Sequence, residues 1–379
     1  MNKITVLILF LLINISFGFS QTFNTIEPLC DTCEKKIFIN FKSTSFFKNN
    51  EYFNDFADGY TGIGFFIKPT IEYYLNKNTK ANAGVYLLKY SGINKFTQTI
   101  PIFSVQHKLN KNIEIIFGSL YSTLNHKLEE PIFRFDRYYQ NNVEYGLQLL
   151  YNSSLIESDL WMNWEKFIFK NDPFQEEFVA GNNTDFKIYP SKKFDVYIPL
   201  QMLISHKGGQ IDSSPNSKST IFNGLTGLKF NYKINKNNTL QLESLFLRYK
   251  GLSLPDEGCN MQLFKNGKGF YNKIKYDNNF ISVMLGYWVG EKFISPKGEY
   301  LFQSVSERDY YSSINFFEKT RKIITTKIAF KRNMADSFKI RLGVNAYYDV
   351  INKDIAYSYS LYFLINESFF IGENKKHLM

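Results

Sequence analysis

The chain has 379 residues and a formal net charge of +10, with 44% hydrophobic, 18% aromatic and 21% charged residues. This apolar content can fill a large core or cover a membrane face, so it excludes wholesale disorder. The mean hydropathy is −0.26, and no long apolar run follows the N-terminus. These two features exclude a protein that crosses a membrane with helices.

The N-terminus predicts export. Lys3 precedes the apolar stretch Val6–Phe17, and the small residues Gly18 and Ser20 follow it. This order is typical of a secretory signal peptide, and the stretch is too short to serve as a membrane anchor. We therefore expect residues 1–20 to be a signal peptide that is cleaved after Ser20.

Hydrophobicity along the mature chain alternates with a period of two. In Phe338–Tyr348 every second residue is apolar, while Lys339 and Arg341 fall on the opposite face. Ile63–Leu75 alternates in the same way, as a strand with one apolar face does. Five further segments alternate similarly: Val143–Tyr151, Phe194–Ile204, Leu228–Ile234, Ile324–Phe330 and Ile355–Ile365. No segment of the mature chain shows a convincing helical period, so the sequence predicts an all-β protein.

Short polar turns alternate with mostly longer connections. The short turns recur at residues 76–80, 108–112, 152–154, 190–193, 235–238, 277–279 and 332–336. Short turns at one end and long loops at the other are typical of outer-membrane barrels, whereas a soluble sandwich has no reason for this asymmetry. We predict a transmembrane, antiparallel, up-and-down β-barrel of about 16 strands, within a range of about 14–18. Aromatic residues near the short turns predict an interfacial girdle: Tyr73, Tyr151, Tyr232, Tyr276, Phe280, Phe330 and Phe338.

These features resemble outer-membrane β-barrel proteins of Bacteroidota. The signal ending Phe19-Ser20-Gln21 and the alternating strands with short turns carry the resemblance, which covers nearly all of the mature sequence. It implies a location in the bacterial outer membrane. On this basis residues 21–34 form a periplasmic N-terminal segment, residues 35–371 the barrel and residues 372–379 a periplasmic tail. Both features are general to the class, so no functional residues follow from them.

If the apolar faces contact lipid, the charged faces line the lumen. A bare Arg or Lys facing lipid near the midplane would cost about 2–4 kcal/mol, so the periodicity assigns the two faces. The predicted lumen-lining residues are Lys68, Glu72, Glu144, Asp159, Glu165, Lys229, Lys339 and Arg341. A lumen about 16 strands around is wide enough for water unless loops fold into it.

Two long outer loops, residues 125–142 and 291–319, combine charged and aromatic residues. Long loops of this kind are often functional and can fold inward as a constriction. The alternative is a loop that packs on itself over the rim. The candidate constriction residues are Arg134, Arg137, Arg308, Glu129 and Glu130.

The three cysteines predict one local disulfide. Cys30 and Cys33 form a CxxC just before the first strand, and no histidine follows that would indicate haem attachment. In an oxidising compartment we expect these two cysteines to be bonded to each other. Cys259 lies in an outer loop on the other side of the membrane, so we predict no disulfide between it and either of them.

The sequence lacks a clear catalytic or metal-binding motif. The four histidines have no metal-ligand spacing, and the nucleophile-elbow, phosphate-loop and dinucleotide motifs are absent. A lipid hydrolase would need a serine–histidine pair at the lipid-facing outer rim. Ser205 with His206, and His126 with Ser122 or Thr123, are formal candidates, but the adjacent pair faces opposite sides of a strand. We therefore expect no enzyme activity, no cofactor and no metal.

The favoured function from sequence is a diffusion channel for small polar solutes. Residues 21–34 are too few to plug a barrel, which argues against an energised transporter. The alternative is a non-enzymatic barrel of a secretion or surface-assembly machine with a periplasmic or surface protein partner. A barrel lipid hydrolase is the third hypothesis. The expected surroundings are outer-membrane lipid, and the scattered lysines do not favour nucleic acid.

Overall fold

A computed structural model describes residue 23 and residues 26–254, 263–307 and 316–373. Sixteen antiparallel strands form a closed barrel, in which each strand pairs with its neighbours in sequence and β1 pairs with β16. The predicted fold class and strand number are confirmed. The strands are β1 (Lys36–Phe53), β2 (Asp58–Asn76), β3 (Thr79–Tyr90), β4 (Gln98–Asn110), β5 (Ile113–Ser119), β6 (Tyr145–Asn152), β7 (Ile156–Lys166), β8 (Glu177–Tyr189), β9 (Phe194–Lys207), β10 (Ser219–Lys233), β11 (Thr239–Ser253), β12 (Asn266–Asp277), β13 (Ile281–Glu291), β14 (Thr320–Asn333), β15 (Phe338–Asp349) and β16 (Ile355–Glu373).

Helical structure in the described residues is confined to short pieces within the outer loops. The helix α1 spans Arg137–Gln140, and 3-10 turns span Thr123–His126 and Tyr300–Phe302. None of the helices in the described part of the chain has the length and apolar character needed to cross a membrane.

The outer surface of the barrel is apolar. Ile63, Ile71, Leu342 and Val344 are each about half exposed, whereas Glu72, which directly follows Ile71 in β2, is buried. Backbone groups are paired around the whole closed sheet, so no sheet edge faces lipid. The alternation in sequence therefore corresponds to an outward apolar face and an inward face of mixed character.

The inward face carries an apolar core as well as charges. The loop between β13 and β14, here called loop 7 (residues 292–319), inserts Phe293 and Phe302 into the barrel, and both are fully buried. They pack in one cluster with the wall residues Trp288, Leu245 and Leu203. The sequence predicted a largely polar lumen, and the difference arises because the loops bring their own apolar side chains to cover apolar positions on the wall.

The N-terminal segment lies against the end of the barrel that carries the short turns. Cys30 and Cys33 are joined by a disulfide. Leu29 and Cys33 pack against Tyr74 near the end of β2, and the amide of Lys35 donates to the Tyr74 carbonyl at 2.7 Å. This contact holds the segment close to the barrel mouth. Cys259 lies outside the described residues.

Candidate functional site

The connection between β5 and β6, here called loop 3 (residues 120–144), crosses the lumen. Glu129 forms an ion pair with Lys273 of β12 at 2.6 Å. Glu130 pairs with Lys327 of β14 and accepts a hydrogen bond from the Tyr347 hydroxyl of β15 at 2.7 Å. Loop 3 is therefore fixed to the wall opposite the strands from which it emerges.

A second set of contacts fixes loop 3 to β1 and β2. Asp136 is 5% exposed and contacts Lys48, Tyr60 and Asn50. Burial raises the pKa of Asp136, but Lys48 and the hydrogen bonds to its carboxylate outweigh this and hold the pKa below its usual value. The carboxylate is thus charged and neutralised by the Lys48 ammonium.

Loops 3 and 7 meet at a buried carboxyl group. The amide of Glu299 donates to the Glu130 carbonyl at 2.9 Å, and the Glu299 side chain is buried. Burial, together with the charges of Glu130 and Asp136, raises the pKa of Glu299 to about 7 despite the opposing effect of Lys48. The junction of the two loops therefore holds an acid that is partly protonated at neutral pH.

His126 lies at the base of loop 3 and is completely buried. Its Nδ1 contacts Asp159 at 2.8 Å, and its Nε2 contacts Glu144 at 2.7 Å. Burial alone would lower the pKa of His126, but the two carboxylates raise it to about 9. At neutral pH the ring is an imidazolium that donates from both nitrogens, so it has no free lone pair with which to act as a base.

The wall of β7 and β8 is shaped to receive this ring. The imidazole stacks on Trp161 with 3.6 Å between ring centroids and 7° between planes. Gly181 lies beside the indole, where an added Cβ would be 2.2 Å from the Trp161 ring. The missing side chain leaves the space in which Trp161 lies against the wall.

Charges of alternating sign continue from His126 across the lumen. Arg137 lies 3.8 Å from Glu144 and donates to Glu165 of β7 at 2.7 Å, and Glu165 pairs with Lys297 of loop 7 at 2.5 Å. The series of contacting side chains that runs from Asp159 through His126 to Lys297 therefore alternates between carboxylates and cations. Each charge in this chain has a compensating neighbour, so removal of one partner would leave an unpaired buried charge, which is strongly destabilising.

The predicted constriction residues anchor the loops. Glu129, Glu130 and Arg137 contact the barrel wall as described above. Arg134 donates to the Tyr300 hydroxyl of loop 7 at 2.9 Å, and its guanidinium lies 5.0 Å from the centre of that ring. Arg308 lies outside the described residues. Loop 3 therefore folds inward, and each of the four described residues is held by a partner.

The predicted lumen-lining residues divide into two groups. Five have partners of opposite charge: Glu72 with Lys80, Glu144 and Asp159 with His126, Glu165 with Arg137, and Lys229 with Asp185. Lys68, Lys339 and Arg341 form no ion pair within the described residues. Lys68 lies over the Tyr86 ring, and Arg341 lies over the Phe23 ring.

One group of polar side chains faces outward at the outer ends of β1, β2 and β16, and we call it rim group A. The Asn49 amide donates to Glu51 at 2.5 Å and to the Tyr359 hydroxyl at 2.9 Å. The Thr61 hydroxyl donates to the Asn49 carbonyl oxygen at 2.6 Å. Strand alternation places these residues opposite the lumen-facing Lys48 and Asn50, so the group faces the lipid leaflet.

A second outward-facing group lies at the outer ends of β7 to β10, and we call it rim group B. His206 contacts the Thr220 hydroxyl through Nδ1 at 2.8 Å and the Gly208 carbonyl through Nε2 at 2.9 Å. A neutral ring that donates from Nε2 to this carbonyl must accept the Thr220 proton at Nδ1. Phe178 packs on His206 at 4.8 Å and stacks with Trp164, which places an aromatic surface beside the hydroxyl–imidazole pair.

The other pairs considered from sequence do not form. Ser205 lies on the lumen-facing side of β9, and its buried hydroxyl has no hydrogen-bond partner. The Ser122 hydroxyl donates to the Asn142 carbonyl, while both nitrogens of His126 contact carboxylates. Sequence reasoning missed Thr220 because it meets His206 only through the β9–β10 register. Within the described residues no group of three or more His, Cys, Asp or Glu side chains could hold a metal ion.

The sequence matches one family model, described as Lipid A 3'-O-deacylase-type, over residues 29–374. No curated protein sequence gives a significant match. The expectation that the chain is not an enzyme is wrong, because this family is an enzyme family. The short sequence motifs that were searched for belong to other folds, so their absence did not exclude the activity.

Solved structures of outer-membrane proteins share the fold. Two structures of OprD from Pseudomonas aeruginosa align with TM-scores of 0.51 and 0.52 at 10% and 11% identity. They cover 89% and 91% of this chain and 95% and 99% of their own. A loop-deletion mutant of OmpT from Vibrio cholerae aligns with a TM-score of 0.51 at 9% identity, covering 87% of this chain and 99% of its own. The predicted location in the bacterial outer membrane is confirmed.

We predict that His126→Gln makes stability less dependent on pH. The pKa of His126 is about 9 in the folded chain and about 6.5 when unfolded. The contribution of protonated His126 to the free energy of unfolding is therefore complete below pH 6.5 and is lost as the pH rises through 9. The difference in the free energy of unfolding between wild type and variant should shrink by about 3 kcal/mol between pH 6 and pH 10. Urea unfolding in lipid vesicles measures this difference. A difference in the free energy of unfolding that stays constant with pH would contradict the raised pKa of His126.

Proposed function

Because the chain belongs to the lipid A 3'-O-deacylase-type family, we propose that it hydrolyses an acyl ester of lipid A in the outer leaflet of the outer membrane. The observation that carries the proposal is the family match, which extends over residues 29–374 and thus over the whole barrel. In the net reaction one water is consumed, the bond between the acyl carbon and the sugar oxygen breaks, and a fatty acid and a sugar hydroxyl are released.

The filled lumen supports the outer rim as the proposed location of this chemistry. An ester in the outer leaflet meets the outside of the barrel near the outer ends of the strands, whereas loops 3 and 7 occupy the interior at that end. Rim group B offers a hydroxyl next to an imidazole whose other nitrogen is held by the Gly208 carbonyl. A nucleophile, a base and a group that orients the base are the parts that acyl transfer requires.

Rim group A offers different functional groups at the same depth. The Glu51 carboxylate can accept a proton from water, and the Asn49 amide can donate to a developing oxyanion. The Tyr359 hydroxyl lies 2.9 Å from that amide. Both groups lie where a leaflet lipid reaches the barrel, so variants of each will show which one contacts the ester.

We predict that the full chain in mixed micelles releases one fatty acid from lipid A, and that variants of one rim group abolish the release. His206→Gln with Thr220→Val tests group B, and Glu51→Gln with Thr61→Val tests group A. Loss of a general base costs about 100-fold or more. Mass spectrometry of the lipid measures the product.

Lys229→Met is the matched control for this experiment, because Lys229 lies in the lumen and pairs with Asp185. It should retain the activity of the wild type. Full activity in both sets of rim variants would exclude both rim groups as the site of ester hydrolysis. The hydrolase itself would be contradicted if the wild-type chain releases no fatty acid.

Passage of small polar solutes is the second candidate function, and a cavity beneath loop 3 favours it. This cavity of about 140 Å³ extends from the N-terminal segment to the underside of loop 3 within the barrel. Passage through the outer half requires loop 3 to leave its ion pairs with Lys273 and Lys327. Loop 3 is thus the proposed constriction, with Glu129 and Glu130 holding it closed.

We predict that Glu129→Gln together with Glu130→Gln raises solute flux several-fold in liposome swelling, from a low rate in the wild type. The physical reason is that the two ion pairs that hold loop 3 against β12 and β14 are lost. Glu291→Gln, in an exposed pair with Lys268, is the control and should leave the rate unchanged. Equal rates in all three proteins would reject loop 3 as a gate.

A further inference from the structure

A third group of charged side chains faces outward at the outer ends of β11 to β14, and we call it rim group C. Arg248 of β11 lies directly opposite Lys268 of β12, and Lys268 lies directly opposite Glu291 of β13. Lys250 follows Arg248 by two residues on the same face, and Lys322 of β14 is a diagonal neighbour of Glu291. All five are exposed, and the residue that precedes each of them in its strand is buried. Rim group C therefore lies on the lipid-facing side of the sheet.

Rim group C has an excess of positive charge. Lys268 and Glu291 form an ion pair at 3.0 Å, whereas Arg248, Lys250 and Lys322 form no ion pair within the described part of the chain. The four cations and one carboxylate give a net charge of +3. Like charges directly opposite each other on neighbouring strands are destabilising, so the Arg248–Lys268 pair is unfavourable unless an anion lies beside it.

An apolar groove lies next to rim group C, on the same outward face and closer to the short turns. Its volume of about 620 Å³ is within the usual range for ligand pockets, about 300–1,000 Å³. Ser244 and Asn272 lie directly opposite each other in its centre, and the groove forms because they are smaller than the side chains around them. The surrounding outward-facing side chains are Phe230, Leu242, Ile274, Leu285, Tyr287 and Ile324.

Ser244 and Asn272 place polar atoms in a lipid-facing surface that is otherwise apolar. Each lies four residues from a cation of rim group C, Ser244 from Arg248 and Asn272 from Lys268, which is about 13 Å along the strand. Neither side chain forms a hydrogen bond within the described ranges, and an unpaired polar group in hydrocarbon is unfavourable. A ligand with polar linkages between a charged headgroup and its acyl chains would supply partners at this depth.

Charge complementarity and the groove together favour an anionic lipid. Outer-membrane barrels have their long loops outside the cell, so rim group C lies at the headgroup level of the outer leaflet. A phosphate monoester carries about −1.5 to −2 charges at neutral pH, and arginine can bind it through two parallel hydrogen bonds. A soluble anion would contact the cations but leave the groove empty. A two-fold dimer through this surface would place two positively charged groups in one interface, which is unfavourable.

We propose that rim group C and the adjacent groove form a non-catalytic binding site for a phosphorylated lipid A of the outer leaflet. The phosphate lies at Arg248 and Lys268, and the acyl chains lie along the groove. Rim group C is on different strands from rim group A, on β1, β2 and β16, and from rim group B, on β7 to β10. The site does not rest on ester hydrolysis by either of those groups.

Native mass spectrometry of the full chain in detergent, with phosphorylated lipid A added, tests the proposal. The wild type should retain the phosphorylated lipid and should bind lipid A without phosphate more weakly. Arg248→Gln with Lys322→Gln should weaken retention about 25-fold, because each cation near an anionic headgroup contributes about 5-fold. Ser244→Phe with Asn272→Phe should weaken it several-fold, because the rings fill the groove while remaining compatible with lipid contact.

Lys233→Gln is the control for the loss of an exposed cation. Lys233 lies beside a short turn and pairs with Asp195 at 2.8 Å, so this variant should retain the lipid as the wild type does. Equal retention by the folded Arg248→Gln, Lys322→Gln variant would overturn the proposal. So would equal binding of the lipid with and without phosphate.

A chain that carries the variants of both rim groups A and B separates this site from ester hydrolysis. It should retain the phosphorylated lipid as the wild type does, whether or not the wild type releases a fatty acid. Loss of retention in this chain would show that the lipid is held at the other rim groups, and would overturn the proposal. A wild type that retains no lipid but forms a dimer that the rim group C variants dissociate would identify a subunit interface instead, and would also overturn it.

Discussion

The attachment of loop 3 across the lumen is the constraint on which the rest of the interior depends. Glu129, Glu130 and Asp136 bring negative charge into the barrel, and each forms an ion pair with a lysine on a different strand. A buried charge without its partner is strongly destabilising, so the loop and the wall each require the other. This mutual requirement keeps loop 3 in the outer half of the barrel, where Phe133 joins the apolar core.

The filled interior divides the molecule into regions with different chemistry. The outer half of the lumen is a packed core with a chain of alternating charges, the space beneath loop 3 has a mixed polar and apolar lining, and the outer rim presents polar groups to lipid. The match to a lipid A 3'-O-deacylase-type family is consistent with this division, because the proposed lipid substrate would reach the rim groups from the leaflet. The closed sheet gives rigid positions to side chains on both faces, which is what a binding or catalytic group needs.

The sequence predicted the barrel well because strand alternation and turn residues are local signals. The alternating segment Phe338–Tyr348, for example, corresponds to strand β15, which spans Phe338–Asp349. The burial of loop side chains inside the barrel was not predictable in the same way. Phe302 belongs to a loop, and the loop sequence has no hydrophobic period from which burial could be predicted. The rim groups depend on contacts across strands: Asn49 and Tyr359 are 310 residues apart in sequence, and only the closure of β1 on β16 brings them together.

A double-mutant cycle on Glu130 and Lys327 tests the attachment of loop 3 most directly. The free energies of unfolding of the wild type, Glu130→Gln, Lys327→Met and the double variant are measured in lipid vesicles. The loop attachment predicts a coupling energy of about 1 kcal/mol or more between the two residues, as found for groups in direct contact. Strictly additive effects of the two substitutions would show that loop 3 does not contact β14, and would contradict the account of a clamped lumen.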